Sequence, residues 1–242
     1  MITVDAGYPD ILLKKGSPNV DLIRLLKERL NYHGLGPLDE KNIIFGNQTE
    51  AAVRQFQRNK LLNPDGVVGP LTWHRLFNER SPVIIGASTL ALRALEIAKS
   101  QLYVREKTGK NDGKEVEAYL RSVDLPPGYA WCVAFGYWCF DTAANELSIP
   151  NPMFRTAGVL RLWNNTPVSR RVTDPQPGDV GIMDFGGGKG HFFIVEERIK
   201  TKVATVEGNT AADPTNKAED RDGQGVFERL RPISATKGFL RY

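Results

Sequence analysis

Apolar residues first recur at helical spacing at Val20, Leu22, Ile23, Leu25, Leu26 and Leu30, and the pattern stops at the breaker Gly34-Leu35-Gly36-Pro37. A second helix is predicted from near Thr49, with Asn47 or Thr49 as its cap and Ala52, Val53 and Phe56 as its inner stripe. Asn63-Pro64-Asp65-Gly66 reads as a turn, because its glycine accepts the positive φ that tight turns need. After Gly69-Pro70, Thr72 is expected to cap a short last helix carrying Trp73, Leu76 and Phe77. This pattern predicts a small three-helix domain over residues 10–80, with Phe56 and Trp73 in its core, and a linker over 78–88.

The pattern beyond the linker is different. Ser88 is placed to cap a helix, TLALRALEIAKSQL, with Leu90, Leu92, Ala94, Leu95 and Ile97 on its apolar face. A glycine-containing loop and a second helix follow in KTGKNDGKEVEAYLRSV. After Pro126-Pro127-Gly128 comes an apolar run from Tyr129 to Phe140. Past Pro175-Gln176-Pro177-Gly178 the period becomes that of strands: VGIMDF, HFFIVEER, KVATVE, GVFERLRP and GFLRY. Helices followed by an antiparallel sheet predict an α+β domain over residues 88–242.

Composition narrows the class. With 242 residues, 41% hydrophobic and 25% charged, the chain is neither disordered nor fibrous. The net charge of +4 comes from 32 basic and 28 acidic residues. It is spread evenly, with 11 basic and 9 acidic residues in positions 1–80. That leaves no concentrated basic stripe, so nucleic acid is not an expected partner. The longest uncharged apolar run, YAWCVAFGYWCF, has twelve residues, short of the ~20 needed to span a membrane. Met-Ile-Thr-Val-Asp lacks the basic start and apolar core of a cleavable signal. The two cysteines, Cys132 and Cys139, lie two helical turns apart (about 10 Å of rise), too far for a disulfide.

Cys132 opens the apolar helix after the Pro-Pro-Gly break. A helix start offers unpaired N–H groups and partial positive charge, which favour thiolate over thiol, and thiolate is the attacking form. A cysteine can equally serve as a small core residue, which suits Cys139. The histidines decide between these. His33 and His74 belong to the first domain, so His191 alone can pair with Cys132. It follows Gly186-Gly187-Gly188-Lys189-Gly190, a hairpin connection and not a phosphate loop, since no Ser or Thr follows the lysine and strands flank it. A third group must fix the imidazole. Glu207 and Asn209 are two apart, share a strand face if the strand persists, and either could accept the ring N–H. A metal is not expected. The second domain has one histidine and no clustered cysteines, and Asn111-Asp112-Gly113 is too short for an EF-hand loop. Residues 209–225 read as a polar solvent loop.

Two resemblances follow from these strings. FGNQTEAAVRQFQRNKLLNPDGVVGPLTW, with its FG-x-x-T-x-x-A-V-x-x-F-Q core and DG-x-x-G-P-x-T-W ending, resembles the peptidoglycan-binding three-helix domain attached to many bacterial cell-wall hydrolases. YAWCVAFGYWCF, PGDVGIMDFGGGKGHFFIVEE and VEGNT resemble the Cys, His and Glu/Asn blocks of the CHAP family, papain-like cysteine- and histidine-dependent amidohydrolases and peptidases. The second resemblance implies Cys132 as nucleophile, His191 as base, and Glu207 with Asn209 as the orienting pair. Many members carry Gln before the cysteine where this chain has Trp131. The Cys132 N–H is then the first oxyanion donor and the second is open, with Tyr129 a candidate. Tyr129 and Trp131 are taken as substrate-binding residues. Some relatives bind calcium just before the cysteine, but residues 124–131 lack the Asp-rich loop, and no cofactor is implied.

Together these readings predict a modular peptidoglycan hydrolase that acts as a monomer on an amide of the peptide stem or crosslink. Endopeptidase action is preferred over N-acetylmuramoyl-L-alanine amidase action. The alternative is a non-catalytic wall-binding protein with an inactive papain-like domain. Without a cleavable signal, the expectation is synthesis in the cytoplasm and action on the wall, periplasmic or extracellular, after lysis or signal-independent export. A phage endolysin, a bacterial wall hydrolase and a secreted antibacterial effector all fit, the last with an immunity protein as partner.

Overall fold

The computed structural model describes residues 9, 11–60, 62–77, 88–211 and 224–242. The chain divides into two compact units, residues 1–83 and 84–242. The expected linker, apart from Ser88, lies outside the described residues, as does most of the polar segment 209–225.

The first unit holds α1 (Val20–Tyr32), α2 (Asn47–Asn59) and α3 (Pro70–Phe77). Ile23, Leu26 and Leu30 of α1 pack with Ala52, Val53 and Phe56 of α2 and with Trp73, Leu76 and Phe77 of α3. Phe56 and Trp73 are buried, as expected of core residues. The helix starts depart from expectation. Gly46 is the cap residue of α2 and no side chain caps that helix. Helix α3 begins at Pro70, whose missing N–H costs nothing in the first turn. Thr72 sits inside α3, and its hydroxyl accepts from Gln57 Nε2 at 3.1 Å. Buried Gln57 also accepts from the Gly66 N–H at 2.8 Å and donates to Asp65 Oδ1 at 2.8 Å, so one amide fastens the turn to α2.

The second unit begins with α4 (Thr89–Ser100), α5 (Lys114–Ser122), α6 (Cys132–Glu146) and α7 (Val159–Asn165). It continues into β1 (Arg171–Val172), β2 (Val180–Gly186), β3 (Lys189–Ile199), β4 (Lys202–Thr210), β5 (Gly225–Pro232) and β6 (Gly238–Leu240). The strands form one antiparallel sheet in the order β1-β6-β2-β3-β4-β5, so the α+β expectation holds. Ser88 does cap α4: its hydroxyl accepts from the Ala91 N–H at 3.0 Å and donates to the Tyr242 carbonyl at 2.6 Å. The expected hairpin connection is present but shorter than read: Gly187 and Gly188, both at positive φ, form a two-residue turn, and β3 already begins at Lys189. Among the described residues no helix is long and apolar enough to cross a membrane.

The main core lies between the helices and one face of the sheet, with α6 at its centre. Gly136 lets α6 lie directly on β3, since a Cβ there would fall 2.1 Å from the Phe192 ring. Gly208 does the same from β4, where a Cβ would stand 2.7 Å from both Phe135 and Trp131. These two close approaches fix the start of α6 against the strands that carry the candidate chemistry.

Candidate active site

Cys132 is the first residue of α6 and is buried, and the cap residue Trp131 makes no side-chain cap bond to the helix. The first-turn N–H groups therefore keep their partial positive charge beside the thiol. His191 stands on β3, paired across the hairpin with Met183 and fully buried. Its Nε2 lies 2.9 Å from Glu207 Oε2. Ionised Glu207 only accepts, so Nε2 carries the proton. Nδ1 makes no conventional hydrogen bond, and the Cys132 thiol interacts with the same ring.

The electrostatics of this pair are opposed and unequal. Burial pulls the His191 pKa down. The interactions with Cys132 and Glu207 outweigh it and raise the value to about 9. For Glu207, burial pushes the carboxyl up. The hydrogen bonds and charge of Arg231, then those of His191, hold it well below the usual carboxylate range. Arg231 Nε donates to Oε1 at 2.8 Å and Nη2 to Oε2 at 2.6 Å, a two-pronged grip. The Thr205 hydroxyl adds a third donor at 2.7 Å. Glu207 is thus an ionised, fully partnered carboxylate turned towards the imidazole.

The other expected site residues have different places. Asn209 was expected to share a strand face with Glu207. Strand β4 does reach Thr210, but its pairing with β5 shifts between Glu207 and Thr210, and Asn209 takes φ 56°. The alternation breaks there. Asn209 Oδ1 instead accepts from the Trp131 N–H at 2.9 Å, just ahead of the nucleophile's helix. Trp131, expected to touch substrate, is fully buried against Tyr119 and Phe135, and its indole N–H donates to Glu106 at 2.8 Å. It anchors the helix start and offers no surface to a ligand. Tyr129 is exposed on the segment leading into Cys132. Cys139 is fully buried, which pushes its thiol pKa up.

Arg231, Thr205 and Glu106 were not singled out from the sequence. Arg231 did leave a trace, since GVFERLRP puts arginines at alternate positions, 229 and 231, of a predicted strand, and a buried arginine demands a carboxylate. Among the described residues no three His, Cys, Asp or Glu side chains converge as a metal-ligand group.

Comparison with known proteins matches two stretches of the sequence to family models. Residues 19–76 match the family model of a peptidoglycan binding domain, and residues 124–209 match that of the CHAP domain. The two therefore stand in the order read from the motifs. A curated relative, the "Uncharacterized protein in bpoA1 3'region" of Kitasatospora aureofaciens, is 59% identical over 32 residues. That stretch is 13% of this chain and 27% of the relative's length. No solved structure matches.

Proposed function

We propose that this chain, a peptidoglycan-binding domain followed by a CHAP domain, is a peptidoglycan hydrolase that cleaves an amide through Cys132, His191 and Glu207. The observation that carries the reading is the buried row of thiol, imidazole and ionised carboxylate at the uncapped start of α6, within the CHAP-matched stretch.

In this mechanism His191 Nδ1 takes the proton of Cys132. The thiolate attacks the amide carbonyl carbon, an S–C bond forms, and the C=O π electrons move to oxygen. The Cys132 N–H at the helix start holds that oxyanion, and such preorganised donors supply a large share of amide cleavage. The tetrahedral adduct collapses, the C–N bond breaks, and His191 gives its proton to the leaving amine. Water, deprotonated by His191, then releases the acid from the thioester and restores the thiol. Glu207 stays ionised throughout and stabilises the imidazolium, while Arg231 and Thr205 hold its carboxylate still. The bond preferred is a peptide bond of the stem or crosslink, ahead of the N-acetylmuramoyl–L-alanine amide. The first unit tethers the enzyme to the wall and raises its effective concentration there.

Digestion of purified walls, followed by mass spectrometry of the released fragments, tests this reading and names the bond. New amine and carboxyl ends within the peptides mean endopeptidase action. Free glycan strands and intact stems mean amidase action. Wall binding without release, unchanged by thiol reduction, would refute catalysis and return the protein to the non-catalytic reading.

A further inference from the structure

The segment between α4 and α5 packs against the start of the nucleophile's helix and has no part in the mechanism above. Its centre is Asn111, a non-glycine residue at φ 55°. Three contacts fix its position. Its N–H donates to Glu106 Oε2 at 2.9 Å, and Glu106 Oε1 accepts from the Trp131 indole. Its carbonyl accepts from the Gly128 N–H at 3.0 Å, in the turn that leads to Cys132. Its side-chain Oδ1 accepts from Asn209 Nδ2 at 3.3 Å.

The direction of that last bond is dictated by the network. The Trp131 N–H can only donate, so Asn209 must turn its oxygen to Trp131 and its NH2 to Asn111. Asn111 must then answer with its oxygen. Its own NH2 is left over, engaged by no other group among the described residues. One bridging side chain, Asn209, separates this amide from the backbone of the residue before Cys132. The helix start supplies one oxyanion N–H; Trp131, where many relatives carry Gln, is buried and committed to Glu106, and the candidate Tyr129 is exposed.

We infer that Asn111 Nδ2 is the second oxyanion donor, so that the Cys132 N–H and the Asn111 amide together hold the substrate carbonyl oxygen. This rests on the hydrolase reading. It gives a catalytic role to a loop whose Asn-Asp-Gly string was too short for an EF-hand and suggested no other chemistry. It also explains why Asn209 occupies a kinked strand end: from there one amide orders both the helix start and the donor loop.

Two full-length variants, assayed on a purified muropeptide that the wild-type protein cleaves, test the inference. Asn111→Asp keeps the acceptor that Asn209 needs and tolerates the left-handed backbone, but replaces the donor with a charged oxygen. Asn111→Gly keeps the backbone conformation and removes the amide without adding charge. Both should lose about 100-fold or more in kcat with little change in KM. Alkylation of Cys132 by iodoacetamide creates no oxyanion, and in Asn111→Gly it should proceed at the wild-type rate. Near-normal kcat in both variants would overturn the inference. So would alkylation falling in step with kcat, because Asn111 would then only hold the nucleophile in place. A wild-type protein inert on every muropeptide would overturn the hydrolase reading itself, and this inference with it.

Discussion

Arg231 grips both oxygens of Glu207, with Nε on Oε1 at 2.8 Å and Nη2 on Oε2 at 2.6 Å, from a strand that lies beyond the CHAP-matched residues. Removing one partner of a buried ion pair strands the other charge. Arg231→Met should therefore cost about 3–5 kcal/mol of stability, read by denaturant unfolding. Arg231→Lys should recover only part of this, since a point charge cannot make the fork. A methionine variant as stable as wild type would remove Arg231 from the site.

If Cys132 and His191 are the nucleophile and base proposed, they act as a unit, so Cys132→Ala and His191→Ala should each abolish turnover to a similar residual rate. Glu207→Gln should be milder, because the ring loses charge stabilisation but keeps a neighbour. Substantial wall cleavage by folded His191→Ala would exclude the mechanism.

On the proposed mechanism the raised pKa of His191, about 9, should set the alkaline limit of activity, where the imidazolium that protonates the leaving amine is lost. Glu207→Gln removes one of the raising influences, so the alkaline limb of kcat/KM should move to lower pH. Stability follows the same groups. The His191 contribution is complete below its unfolded value of 6.5 and is lost as pH rises through about 9. The lowered Glu207 contributes above its unfolded value of 4.5 and fades as acid protonates it. The stability gap between wild type and His191→Ala should accordingly narrow between about pH 6 and about pH 10. A gap that stays constant would show that His191 titrates alike in both states.

The two cysteines should separate under brief treatment with limiting alkylating agent. Cys132 stands at a helix start beside an imidazole, whereas Cys139 is sealed in the core with its thiol pKa pushed up. Label should appear at Cys132 first, activity should fall in step, and folded Cys139→Ser should stay active. Peptide mapping that finds Cys139 labelled first would refute the assignment.

Gly136 should resist substitution although alanine is the better helix former by about 1 kcal/mol. The added Cβ would meet the Phe192 ring at 2.1 Å, and overpacking of this kind costs about 1–3 kcal/mol. Gly136→Ala should lower the melting temperature, and an unchanged one would mean that α6 can lift from β3 freely.

Much of this was legible because it depends on local pattern. The strand-forming runs of β2 to β5 and the Ser88 cap can be read from adjacent residues alone. So can the placement of Cys132 after a Pro-Pro-Gly break, and all of these appear in the structure as expected. The two-residue strand β1 and the seven-residue α7 are too short to carry a period, and they were missed. Asn209 was misjudged for another reason. Period-two reasoning assumes an unbroken strand, and the ladder shifts after Glu207, where Gly208 lies close against Phe135 and Trp131, a tertiary contact that no local string reveals. The partners of Arg231 and Glu106 could not be read, because they stand 24 and 25 positions away.

The Ser88 hydroxyl meets the Tyr242 carbonyl, so the first and last residues of the second unit's described structure lie side by side. A chain segment closed in this way is a cassette: it can be joined, inserted or circularly permuted at one surface point without cutting a strand. Linking position 242 to position 88 through a short flexible peptide and opening new ends at the Gly187-Gly188 turn would leave every strand whole. In the same geometry, a wall-binding unit could be exchanged at that point during descent while the sheet and its site stayed as they are.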